Sequence, residues 1–73
     1  MFDKAVIEHN IRENLPGSQV SVVSEDGVHF FVQVVYDGFA GKSLLTQHRM
    51  VYDAVGSGVG IEIHALSIKT SIA

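Results

Sequence analysis

The chain has 73 residues, a formal charge of −3 and no cysteine; 47% of its residues are hydrophobic and 18% charged. A domain of this length buries only about 60% of its unfolded surface, yet such a composition supplies one packed core and excludes a disordered polar tract. Without cysteine it has no disulfide, no thiolate nucleophile and no thiolate for zinc or an iron–sulfur cluster, and five Lys and Arg weigh against general nucleic-acid binding.

Residues 1–73 read as one domain. No apolar run approaches the roughly 18 to 20 residues that cross a bilayer, and "MFDKAVIEHNIREN" carries charges where a signal peptide needs an apolar core. The expectation is a protein without a membrane partner, placed in the cytoplasm, or in the mitochondrial matrix or another organelle if eukaryotic.

From Phe2 to Leu15, Val6, Ile7, Ile11 and Leu15 recur at helical spacing with Glu8, Arg12 and Glu13 opposite, and Pro16-Gly17 stops the helix. "QVSVVS" (Gln19 to Ser24) and "VHFFVQVVY" (Val28 to Tyr36) are β-favouring runs joined by the turn residues Glu25 to Gly27, which predicts a hairpin. After Asp37-Gly38, "KSLLTQHRMVYDAV" places Leu44, His48, Val51 and Val55 on one stripe, flanked by Leu45 and Tyr52; this is one helix or two short ones. Gly56, Gly58 and Gly60 loosen the chain, and Ile63 to Ile72 reads as a last strand with His64, Leu66, Ile68 and Ile72 on one face. The order helix, strand, strand, helical region, strand predicts an α+β domain. Its sheet has three strands with helices on one face, and the last strand runs parallel to one strand of the hairpin.

"GFAGKS" (Gly38 to Ser43) ends like a phosphate loop, but that motif needs glycine at position 36, where Tyr36 stands. The same residues spell G-x-x-G, the spacing with which KH domains clamp a nucleic-acid backbone, and also an ordinary strand-to-helix turn. Of the four histidines, His9 belongs to a solvated helix face and His48 to a half-buried stripe. His29 and His64 stand near strand starts beside turn or glycine-rich sequence, where a ring is held firmly and still reaches a partner. No paired carboxylates or Ser/His/Asp set stand out, and catalysis by this chain is not expected.

The stretch "VQVVYDGFAGKSLLTQHRMVYDAV" followed by "IHALSIKT" closely resembles the BolA family, whose members share a strand entering F-x-G-K, a Q-H-R-x-V-Y helix and I-H-A-L at the last strand. The resemblance implies a small KH-like α+β fold. It also implies one of two roles. The first is a non-enzymatic adaptor that forms a heterodimer with a monothiol glutaredoxin and co-ligates or receives a [2Fe–2S] cluster shared with that partner and glutathione. The alternative is a DNA-binding transcriptional regulator, which would use Lys42, Arg49 and Lys69 with the turn glycines Gly38 and Gly41, and for which a homodimer is an open assembly. A third, plainer reading is an interaction module whose histidines are all structural.

By the same resemblance, His64 matches the histidine taken as a cluster ligand. The second ligand of the family, a cysteine or histidine in many members, lies in the turn between the first two strands, where this sequence has "SEDGVHFF". His29 is therefore the candidate second ligand and Asp26 a weaker oxygen donor. The glycine-rich "GSGVG" departs from the helical sequence of many members and is expected to fray the last helical turn.

Overall fold

A computed structural model describes residues 4–56 and 66–73. Helix α1 spans Lys4–Asn14 and buries Ile7 and Ile11, one turn apart, with Leu15 closing the same stripe. Val6, expected on that stripe, is 43% exposed, because two fully buried isoleucines already fill the contact. The helix ends before Pro16, and Gly17 turns the chain at φ +86.

Strand β1 (Gln19–Val23) and strand β2 (Phe30–Val35) alternate buried and exposed side chains. They pair antiparallel, with Val20 opposite Val34 and Val22 opposite Val32. The hairpin loop is longer than its turn residues predict, since Val28 and His29 stay outside β2. The cause is local: Asp26 Oδ1 accepts from both the Val28 and His29 amides at 2.8 Å, and Ser24 Oγ donates to the His29 carbonyl at 2.7 Å. Side chains thus bind the groups that a longer strand would have paired in the ladder.

A 3₁₀ turn (Asp37–Phe39) follows β2 and drives Phe39 into the core, where it is fully buried. Ser43 then caps helix α2 (Leu44–Val55), its Oγ accepting from the Thr46 amide at 3.2 Å. The predicted second helical region is therefore one α-helix preceded by this short turn. Its buried arc is Gln47, Val51, Ala54 and Val55, not the expected Leu44, His48, Val51 and Val55. Leu44 and Leu45 are 65% and 64% exposed, because the first turn of α2 is held by its cap and by Gln47 rather than by leucine packing. Gly56, at φ +90, ends the helix.

Strand β3 (Leu66–Ser71) pairs parallel to β2, with Phe30 opposite Leu66, Val32 opposite Ile68 and Val34 opposite Thr70. The sheet order is β1-β2-β3, so the mixed sheet has the predicted topology. The expected strand from Ile63 is described only from Leu66, and Ile72 lies past its end, 55% exposed. His64 lies outside the described residues, as do Gly58 and Gly60 of the glycine-rich segment.

Both helices cover one face of the sheet. Val20, Val22, Phe30, Val32, Val34 and Leu66 point into the core with Ile7, Ile11, Phe39, Val51 and Val55. Asn10 Nδ2 donates to the Val55 carbonyl at 2.9 Å and Asn14 Nδ2 to the Ala54 carbonyl at 3.2 Å, so α1 satisfies carbonyls that the end of α2 leaves unpaired. The other face, carrying Ser21, Val23, Phe31, Gln33, Ser67 and Lys69, is exposed.

Candidate functional site

Two places collect the residues that the sequence singles out: the hairpin loop between β1 and β2, and the turn that enters α2. In the loop, His29 Nδ1 lies 2.8 Å from Asp26 Oδ2, while Asp26 Oδ1 receives the two backbone amides. The Gly27 amide donates to Ser24 Oγ at 2.9 Å, which closes the loop on itself. The hydrogen bond from the His29 ring, followed by those from the His29 and Val28 amides, holds the Asp26 carboxyl well below the usual carboxylate range.

Both oxygens of Asp26 are therefore engaged within the loop. The structure brings together the two expected ligand candidates of the turn: Asp26 turns its oxygens to the loop amides and the ring while its side chain stays 52% exposed, and the His29 side chain is 68% exposed. Asp26 is placed as the partner of His29 rather than as a second donor beside it. The pair borders an open depression of about 270 Å³, lined also by Val23, Glu25, Phe31 and Ser67. This is the end of the sheet at which β3 begins, since Phe30, the residue after His29, pairs with Leu66. Among the described residues no three His, Asp or Glu side chains come close enough to hold a metal ion together. A metal or cluster at His29 would take further ligands from outside this set.

His9 and His48 take no part in this loop. His9 is exposed on α1, 3.6 Å from Glu13, and His48 is half-buried in α2.

At the second place, each glycine of G-x-x-G has its own structural reason, one of packing and one of backbone conformation. A Cβ on Gly38 would strike the ring of Tyr36, which stands edge-on to Phe39 at 5.2 Å, and Gly41 adopts φ +77. Lys42 and Arg49 are exposed in the helical layer. Lys69 stands opposite Gln33 on the sheet face away from the helices, so the three candidate cations do not share one face.

The residue that sequence reasoning missed here is Gln47. It is buried, donates from Nε2 to the carbonyls of Lys42 at 2.9 Å and Phe39 at 3.4 Å, and accepts from Thr70 Oγ1. Its signal in the sequence is its position one turn before Val51; its polar side chain removed it from a hydrophobic stripe. Among the described residues no helix is long and apolar enough to cross a membrane.

This architecture and these motifs have relatives. A family model described as BolA-like protein matches residues 6–73. The DNA-binding transcriptional regulator BolA of Escherichia coli (strain K12) is 32% identical over 65 residues, covering 89% of this chain and 55% of that protein. The chain thus spans about half the length of that curated relative. Among solved structures, a bolA protein homologue from Coxiella burnetii is 41% identical and superposes with a TM-score of 0.80, covering 99% of this chain and 92% of the other. The BolA domain of SufE1 from Arabidopsis thaliana is 28% identical with a TM-score of 0.69, over 99% and 95% of the two chains. With nearly every residue matched and the α+β topology shared, the chain belongs to the BolA-like protein family.

Proposed function

We propose that this chain is a non-enzymatic adaptor that pairs with a monothiol glutaredoxin and co-ligates or receives a [2Fe–2S] cluster. The observation that carries the reading is an exposed imidazole, His29, held by a carboxylate at the end of the sheet where β3 begins. In the sequence His64 precedes Leu66 by two residues, so the two candidate nitrogen donors belong to segments that lead to the same strand pair, Phe30 and Leu66. The chain has no cysteine, and the glutaredoxin and its glutathione would supply the sulfur ligands. Imidazole in place of thiolate lowers the negative charge on the cluster and raises its reduction potential. The depression beside His29 is wide and shallow, which suits the surface of a protein better than an enclosed small substrate. Occurrence of the same fold as a domain of SufE1 fits a module that works next to another protein.

The test is to add the purified chain to a monothiol glutaredoxin already carrying its cluster and to record absorption and circular dichroism. A changed cluster spectrum that is lost in His64→Ala, with the variant still folded, is the expected result. An unaltered spectrum with the wild-type chain, or unfolding of His64→Ala, would sink the reading.

A second reading, DNA binding, draws on the similarity to the DNA-binding transcriptional regulator of Escherichia coli. It is the weaker one, because Lys42 and Arg49 lie in the helical layer and Lys69 on the opposite face.

A further inference from the structure

We infer that Asp26 is a positioning residue that fixes the tautomer of His29, leaving Nε2 as the nitrogen that can bind a metal. The inference rests on the adaptor reading only for what Nε2 would bind; the tautomer itself is a property of the chain alone.

Asp26 accepts on both oxygens: Oδ1 from the amides of Val28 and His29, and Oδ2 facing His29 Nδ1 at 2.8 Å. An ionised carboxylate has no proton to give, so a hydrogen bond at this contact requires the proton on Nδ1. In the neutral ring Nε2 then carries the lone pair. Among the described residues Nε2 has no hydrogen-bond partner, and the side chain is largely exposed. The arrangement is that of a metal-binding histidine whose other nitrogen is oriented by a carboxylate, a contact that fixes the ring and raises its basicity.

The geometry also fixes the rotamer. Asp26 is held by two amides only two and three residues ahead of it, so it cannot follow the ring; the ring must come to it. Ser24 bonds the His29 carbonyl and tethers the backbone on the other side. A free exposed histidine loses rotamer freedom on ligation, whereas this one is ordered beforehand.

Asp26→Asn separates positioning from scaffolding. The Asn carbonyl oxygen can still cap the Val28 and His29 amides, as Asn does in turns of this kind. Its amide nitrogen, however, presents a donor to Nδ1 and so favours the opposite tautomer, with the proton on Nε2. The experiment is two-bond proton–nitrogen correlation spectroscopy of the imidazoles in the isolated chain, at a pH where the rings are neutral. Wild type is expected to show the Nδ1–H form of His29 in about fivefold excess or more, the ratio a single net hydrogen bond supports. In Asp26→Asn the preference should reverse while the Val28 and His29 amide signals stay dispersed. An Nε2–H form in wild type, or a ratio that Asp26→Asn leaves unchanged, overturns the inference.

The cluster-bearing glutaredoxin provides the second readout. If His29 ligates, Asp26→Asn diminishes the spectral change as His29→Ala does. If the tautomer reverses while both variants leave the spectral change intact, positioning stands and ligation by His29 falls. The two failures are thereby told apart.

Discussion

Thr70 on β3 donates its hydroxyl to Gln47 Oε1 in α2, 23 residues away, and the same glutamine donates from Nε2 to the carbonyls of Phe39 and Lys42. One buried amide therefore links the sheet, the second helix and the turn that carries the G-x-x-G spacing. Such a group is stabilising only while all its partners are present, since an orphaned buried polar atom keeps its desolvation penalty.

Gln47→Leu is expected to destabilise the domain by about 1–3 kcal/mol although it adds apolar character, because it removes the side-chain partner of the Lys42 carbonyl and of the Thr70 hydroxyl. Thr70→Val should cost about 1 kcal/mol by removing a single donor. Urea unfolding measures both; a neutral Gln47→Leu would mean that the network contributes nothing.

Among the described residues Phe39 is the largest fully buried side chain, and its removal should be the most damaging single truncation there. Phe39→Ala is expected to cost about 3–5 kcal/mol. At about 0.05–0.15 kcal/mol per residue, that is a large share of what holds so small a domain together. Phe39→Leu should lose under about 2 kcal/mol and remain folded by circular dichroism.

The two glycines of the turn should fail differently. Gly41 has a left-handed backbone with open space around it, so Gly41→Asn is expected to be tolerated and Gly41→Ala to cost about 1 kcal/mol. Gly38 faces the Tyr36 ring, so both Gly38→Ala and Gly38→Asn should be destabilising by about 1–3 kcal/mol. Equal tolerance at both positions in thermal melts would contradict this division.

Loop integrity should be insensitive to mild acid. The folded carboxyl of Asp26 is depressed, so its stabilising contribution is fully present above the ordinary carboxylate range and is lost only as pH falls through the lower folded value. Amide signals of Val28 and His29 are expected to hold steady through about pH 4, where an unperturbed aspartate titrates. A titration of those signals centred near pH 4 would show that the hydrogen bonds to Asp26 are not formed.

Duplex DNA binding, if it occurs, should be weak, with a salt slope worth about 2 to 3 phosphate contacts. Lys69, on the sheet face away from the helices, lies apart from Arg49 of α2. Nanomolar, sequence-specific binding at physiological salt that is abolished by Lys42→Glu or Arg49→Glu would reverse the ranking of the two functional readings.

The sequence by itself determined the element order, the hairpin, the parallel last strand and the family. These follow from apolar periodicity, β-branched runs, Gly and Pro punctuation and linked motifs, all of which are local signals. Only the tertiary structure decided which side of α2 is buried, because Gln47 is drawn inward by carbonyls of a turn and a hydroxyl of β3, which no local pattern encodes. Leu44 and Leu45, apolar by composition, stay outside for the same reason. The division of labour between Asp26 and His29 was equally hidden: their spacing of three residues marks both as candidates, and it takes the fold of the loop to turn the carboxylate toward the ring and the backbone amides.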